Sequence, residues 1–305
     1  MRIAIIGPGG MGCLFAGLLA ESGHDVSLID RRPERADKIS REGLIIESNG
    51  RSRTVALRTC AFPLDIGSPR QIDLIVLCVK AHETAGTIPS VTALSTPQTN
   101  VLSLQNGLGN LESFKKIVSD DNLFAGITTH GTTVIDLNRI RHAGSGLTMI
   151  GSFNHNDKGA ELLAKMLSKA GIEAISTKET LGMLWSKLII NAAICPVSVL
   201  ADLTNGEIIE NDKWRCLLCK AAEEGGKTAA AKGLKLTFSD PVKAVLEVCE
   251  KTSSNISSML QDIRRHRKTE IMEINGAVIR AATELGIETP ANRMLLKKVV
   301  ELEKY

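Results

Sequence analysis

Six residues near the amino terminus, Gly7-Pro8-Gly9-Gly10-Met11-Gly12, leave few folds open to this chain. They follow a short apolar run, Ile3–Ile6, and open a helix-forming one, Met11–Glu21. In a strand–loop–helix unit with this spacing, the first glycine allows a tight turn. The second lets a pyrophosphate approach the backbone, and the third lets helix and strand pack closely. The phosphates then rest on the helix N-terminus, where N–H groups and the helix dipole favour an anion. A second apolar strand, Val26–Ile29, ends at Asp30. The pattern predicts dinucleotide binding, with Gly7, Pro8, Gly9, Gly10, Met11 and Gly12 around the phosphates.

The same stretch bears on which dinucleotide. Asp30 stands where an acid accepts the ribose hydroxyls of NAD, and Arg31 and Arg32 stand where a guanidinium suits the 2′-phosphate of NADP. Solvated loop charge is the alternative for both arginines. Lys80 follows the buried strand Leu74–Val79, and Asn106-Gly107 follows Val101–Leu104. Both lie at carboxyl ends of strands, where ligands collect in open α/β sheets; a plain turn is the alternative for Asn106-Gly107.

Strands and helices alternate as far as Glu173–Ser176, which predicts a mostly parallel sheet covered on both faces. Leu44–Ile46 and Val55–Leu57 read as strands around a turn at Asn49-Gly50, Thr132–Ile150 as hairpin strands, and Lys158–Ala170 as a helix. From Leu181 onward helical periodicity takes over. Helices are expected over Leu181–Ala193, Ile208–Gly226, Pro241–Leu260 and Thr269–Leu285, with a shorter one after Pro290. The fold class is therefore α/β, with an N-terminal Rossmann dinucleotide-binding domain at 1–178 and an all-α C-terminal domain at 179–305. A cleft at the junction is the expected ligand site.

Composition excludes several classes. Aromatic residues make up 3% of the chain, too few for a base-stacking nucleic-acid surface. The net charge of +3 is too small to argue for a polyanion. Seven cysteines at irregular spacing form no disulfide framework and suit a reducing compartment. Cys216-x-x-Cys219, beside Trp214, reads as a buried helix face rather than a metal or redox pair, and no cluster suggests a metal. No segment approaches the ~18 apolar residues of a membrane span. The expectation is a cytoplasmic protein with neither a nucleic-acid nor a membrane partner.

Polar residues on apolar helices mark the second domain. Lys187 and Asn191, in LWSKLIIN, are four residues apart and about 40° apart around a helix axis. The lysine either snorkels to solvent or serves as a proton donor. In NISSMLQDIRRHRKTEIMEING, Asn255 and Ser258 fall at the spacing of one helical face. On an unbroken helix Glu270 would lie about 18 Å beyond Ser258, too far for one small substrate. A reversal through Arg264-Arg265-His266-Arg267-Lys268, with a new helix capped at Thr269, would remove that difficulty. A polar helix end followed by an ordinary surface helix is the simpler alternative.

These pieces, together with CVKAHET at 78–84, QNGLGN at 105–110, ITTHG at 127–131, WSKLIIN at 185–191 and TNGEI at 204–208, resemble ketopantoate reductase over nearly the whole length. The resemblance implies a Rossmann domain followed by a helical domain of the 6-phosphogluconate-dehydrogenase type, with the active site in the cleft. It implies NADPH-dependent reduction of 2-dehydropantoate to (R)-pantoate, on the route to pantothenate and coenzyme A. Lys187 then matches the catalytic lysine, and Glu270 the acid that supports lysine and substrate. Asn191, Asn205, Asn255 and Ser258 match substrate contacts, and Asn106 an asparagine near nicotinamide and substrate. Arg31 matches the arginine for the 2′-phosphate, and Lys80 a cofactor-side lysine. His130 reads as structural or as a neighbour of the cofactor. A small 2-oxo acid is the implied partner, and a homodimer the candidate assembly.

Two departures keep alternatives open. Cys195-Pro196 stands where the family commonly has Asn before the proline, and Cys is a poor hydrogen-bond partner, so another branched 2-oxo or hydroxy acid remains a candidate. Asp30 ahead of Arg31 keeps NAD open beside NADP. A nucleotide-binding sensor without catalysis is the remaining reading.

Overall fold

A computed structural model describes residues 1–66 and 71–303. Two units divide them: 1–105 with 109–180, and 106–108 with 181 onward. The first unit runs β1 (Arg2–Ile6), α1 (Gly10–Glu21), β2 (Asp25–Ile29), α2 (Pro33–Glu42), β3 (Leu44–Ser48), β4 (Arg51–Val55) and β5 (Arg58–Cys60). It continues with β6 (Leu74–Leu77), α3 (Thr84–Leu94), β7 (Asn100–Ser103), β8 (Leu123–Thr128), β9 (Gly131–Asp136), β10 (Arg139–Gly144), β11 (Thr148–Ser152), α4 (Asp157–Lys169) and β12 (Ala174–Ser176).

The main sheet has eight strands in the order β12-β11-β8-β7-β6-β1-β2-β5. Every pairing is parallel except β8 with β11. The central strands read as continuous apolar runs, IAII in β1 and LIVL in β6, because both of their faces are buried. The chain winds outward from β1 to β2, then returns to place β6 on the other side of β1. The loop after β1 therefore opens at the point where strand order reverses, the usual ligand position in such sheets.

A second sheet, β4-β3-β10-β9, joins two hairpins through a parallel pairing of β3 with β10; the return strand of the first is Arg51–Val55, directly after the Asn49-Gly50 turn, and not the expected Val55–Leu57. Helix α1 contacts β1 and β2 of the main sheet and β3, β9 and β10 of the small one. This explains why α1 buries Cys13, Leu14, Phe15, Ala16 and Leu19, spread around most of its circumference. Helix α3 was not expected. Its sequence, TAGTIPSVTAL, contains Gly, Pro89 and β-branched residues that disfavour helix, yet Thr84, Thr87, Val91 and Leu94 are buried along one side. Tertiary packing overrides propensity there.

The second unit is helical: α5 (Thr180–Ala201), α6 (Asn205–Glu210), α7 (Asp212–Ala231), α8 (Pro241–Lys251), α9 (Ser258–Arg264), α10 (Asn275–Glu284) and α11 (Pro290–Leu302). Trp185, Leu188, Ile189, Ala192, Ala193 and Val197 of α5 sit in its core. By length and composition α5 could cross a membrane, with a mean hydropathy of 1.7, which corrects the expectation that no segment comes close. Lys187 and Ser186 interrupt the apolar run in sequence, and 72% of its most apolar 18-residue stretch is buried inside the protein.

Three further expectations need correction. The predicted helix Pro241–Leu260 is two helices, because the carbonyls of Ser253 and Asn255 accept the N–H groups of Gly206 (2.9 Å) and Asn205 (3.0 Å) at the start of α6. Ser257 then caps α9 through the N–H of Leu260. Asn255 lies ahead of α9, so it does not share a helical face with Ser258. The helix predicted over Thr269–Leu285 begins at Asn275: residues 271–274 form turns, and the Gly276 N–H reaches back to the Ile271 carbonyl. Finally, Cys216 on α7 is exposed, not buried.

Candidate active site

The loop after β1 is shaped by backbone. Gly7 has φ 108°, and a Cβ on it would collide with Val79 N. A Cβ on Gly12 would collide with the carbonyl oxygen of Gly7, so the first turn of α1 packs directly on the loop. A Cβ on Gly9 would meet nothing within 4 Å. Gly9 is also the N-cap of α1, and no side chain caps that terminus. Open space over uncapped N–H groups, next to two glycines that allow close approach, fits a pyrophosphate.

At the end of β2 an ionic cluster surrounds Asp30, which is 1% exposed. Its Oδ1 accepts the Arg32 backbone N–H and Nε, both at 3.1 Å, and its Oδ2 accepts Arg32 Nη2 and Arg35 Nη1, both at 3.2 Å. Arg35, 2% exposed, also donates to the carbonyls of Pro8 and Leu137 and to Cys13 Sγ. The acid is thereby tied to the glycine loop. Arg31 is largely exposed and paired with Glu83. Lys80 is half-buried, and its carbonyl accepts the Glu83 N–H (2.8 Å). His130 Nδ1 lies 3.0 Å from His142 Nε2, and burial lowers the pKa of both imidazoles. This supports a structural pair.

In the helical unit, Lys187 and Asn191 are half-buried one turn apart on α5. Residues 106–108 belong to this unit although they leave the end of β7. Asn106 Nδ2 donates to Glu270 Oε2 (2.9 Å), a Cβ on Gly107 would press on the Glu273 carbonyl oxygen, and Leu108 packs on the helical core. Glu270 is 4% exposed. The chain reaches it through a Schellman motif after α9: Arg267 N–H to the Asp262 carbonyl, His266 N–H to the Ile263 carbonyl, and His266 at φ 52°. Residues 265–269 are not helical. The Thr269 N–H is held by Glu303 (2.7 Å), and the Thr269 hydroxyl accepts the Ile271 N–H (3.2 Å).

The other candidates separate into two kinds. Asn205 and Asn255 are brought together, but through backbone. The Asn205 side chain is buried and donates to Thr252 Oγ1 (2.8 Å), and its Oδ1 is buried without a hydrogen-bond partner. Asn255 and Ser258 are exposed.

Asn275 was missed in the sequence. Pro196 lies inside α5 and has no N–H, so the carbonyl of Ala192 lacks its normal intrahelical donor. Asn275 Nδ2 supplies that donor at 2.8 Å and also reaches Asn292 Oδ1 (2.9 Å). Asn292 in turn donates to Glu224, whose carboxylate accepts the Ala291 and Asn292 N–H groups at the start of α11. A buried polar chain thus links α7, α11, α10 and α5, the helix of Lys187 and Asn191. The proline was the available signal.

Residues 3–155 match the family described as ketopantoate reductase PanE/ApbA, and residues 179–303 match its C-terminal family. The chain belongs to the ketopantoate reductase family. A 2-dehydropantoate 2-reductase of Pyrococcus horikoshii is 34% identical over 97% of this chain and 95% of its own length. One of Halobacterium salinarum is 32% identical over 97% and 96%. Among solved structures, a PanE/ApbA family ketopantoate reductase from Ralstonia eutropha JMP134 is 30% identical, with a TM-score of 0.88 over 99% of this chain and 98% of that one. D-mandelate dehydrogenase with NADH and anilino(oxo)acetate is 28% identical, with a TM-score of 0.91 over 99% and 98%. Ketopantoate reductases are NAD(P)-dependent oxidoreductases, which accords with the glycine loop. Within this family setting, Cys195 is buried on α5, one turn beyond Asn191.

Proposed function

We propose that the chain is a 2-dehydropantoate 2-reductase that uses NADPH to form (R)-pantoate, serving pantothenate and coenzyme A synthesis in the cytoplasm. The observation that carries this reading is the side-chain set of the helical unit: a lysine and an asparagine one turn apart on α5, and a buried glutamate that accepts the Asn106 amide. The bound reduced nicotinamide supplies the hydride. The Lys187 ammonium donates a hydrogen bond to the ketone oxygen, stabilises the negative charge that grows there, and gives up its proton to it. Glu270 keeps that lysine charged and oriented, and Asn106 fixes the carboxylate by donating to one of its oxygens. Asn191, Asn255 and Ser258 supply contacts to the substrate hydroxyl and carboxylate. Asn205 acts by holding residues 252–255 in place. Arg31, paired with Glu83, and Lys80, whose carbonyl accepts the Glu83 N–H, serve the cofactor's phosphates.

A second reading rests on Cys195 and on the likeness to an NADH-bound D-mandelate dehydrogenase: reduction of a different 2-oxo acid with NADH. Steady-state rates on 2-dehydropantoate, 2-oxoisovalerate and a phenyl-substituted 2-oxo acid separate the two. The highest kcat/KM is expected on 2-dehydropantoate; a higher value on either of the others replaces the first reading with the second.

A further inference from the structure

We infer that Arg32 sets the choice between the two nicotinamide dinucleotides by sheathing Asp30, which withdraws an acid that would otherwise favour a plain ribose. The inference rests on the reading that the α/β unit binds NADPH. An acid at the end of the second strand favours NAD when its oxygens accept the two ribose hydroxyls. That role needs vacant acceptor positions, and a carboxylate offers about four. Asp30 has four donors on it, two per oxygen. Its acceptor shell is full, and its side chain has almost no exposed surface.

The two arginines play different parts. Arg35 is buried and anchored to Pro8, Leu137 and Cys13 as well as to Asp30, so it fixes the acid against the glycine loop. Arg32 has a side chain 55% exposed, and its Nε and Nη2 lie across both carboxylate oxygens as a two-pronged cover. Its backbone N–H closes a local turn on the same acid. Within these ion pairs three guanidinium groups, Arg31, Arg32 and Arg35, face two carboxylates, Asp30 and Glu83, so the guanidinium groups outnumber the acids they pair with. A dianionic 2′-phosphate is favoured there, and a ribose diol finds no vacant acceptor on Asp30. The acid that suggests NAD in the sequence is therefore a scaffold for arginines in the folded protein.

The simpler alternative is that Arg32 only orders the turn into α2. Direct binding distinguishes the two. NADPH and NADH are titrated against the full-length protein, with nucleotide fluorescence as the readout, for wild type, Arg32→Ala, Arg32→Gln and Arg32→Ala/Asp30→Asn. Removing the cover should weaken NADPH binding at least ~10-fold and tighten NADH binding by about 10-fold, the scale of one charged hydrogen bond gained or lost. Arg32→Gln, which keeps the side-chain bulk but not the fork, should move both constants in the same directions by less. Adding Asp30→Asn should abolish the gain in NADH binding, because only the uncovered carboxylate produces it. Unchanged or weaker NADH binding in both Arg32 single variants, with wild-type circular dichroism, overturns the inference and leaves the NADPH reading intact. A wild-type protein that binds NADH more tightly than NADPH overturns both.

Discussion

The two units place their functional groups by opposite means. In the α/β unit the phosphate loop depends on what is missing: side chains absent at Gly7, Gly9 and Gly12, and no side-chain cap on α1. In the helical unit the candidate groups are side chains, and side chains also repair the backbone around them. Asn106 fixes Glu270, Thr269 and Glu303 hold the turn before it, and Asn275 fills the gap left by Pro196. The backbone site admits no added atom at Gly7 or Gly12. A side-chain site tolerates bulk but is sensitive to the loss of single hydrogen-bonding groups.

The sharpest way to break that contrast is Lys187→Ala. If the side chain donates the proton, kcat should fall by about 10²–10⁴-fold while the dissociation constant for NADPH stays as in wild type. Stopped-flow turnover together with nucleotide titration checks both halves, and unchanged turnover removes Lys187 from the mechanism. Next in size is Gly12→Ala. The added methyl meets a backbone carbonyl that has nowhere to go, so a cost of about 3 kcal/mol and a fall in Tm of roughly 6–12 °C are expected. A melting curve like that of wild type would show that the loop is less tightly set than its glycines imply. The smallest effect should be that of Asn275→Ala, about 1–2 kcal/mol for a buried carbonyl left without a donor. Pro196→Ala restores an N–H to α5, so the double variant should recover much of that loss. Strict additivity in denaturant melts would mean that the amide does not serve the helix break.

Legibility followed sequence distance. The glycine loop could be read from its own residues, because a strand, a turn and a helix start lie within twelve positions. The helical periodicity of the second unit was visible for the same local reason. The pairing of β3 with β10 was not, since each hairpin looks complete by itself. Asn255 and Ser258 had the spacing of one helical face, but carbonyls at 253 and 255 are claimed by the start of α6, far upstream in sequence. The reversal before Glu270 could be argued from reach alone, whereas the late start of α10 could not, because it depends on an irregular turn at 271–274. Asp30 is the clearest lesson at the candidate site. Its position suggested one cofactor, and only the folded arrangement of Arg32 and Arg35 reveals that its oxygens are occupied.

The proline in α5 also has a bearing on synthesis. The hydrogen bond that completes this helix comes from a residue 83 positions later in the chain. At ordinary translation speeds of about 5–20 residues per second, α5 waits roughly 4–17 seconds on the ribosome before its donor is made. During that interval this long apolar helix has an open carbonyl and no finished core around it. The α/β unit is already complete in the nascent chain by then, so the helical unit is the part whose maturation a chaperone would most affect.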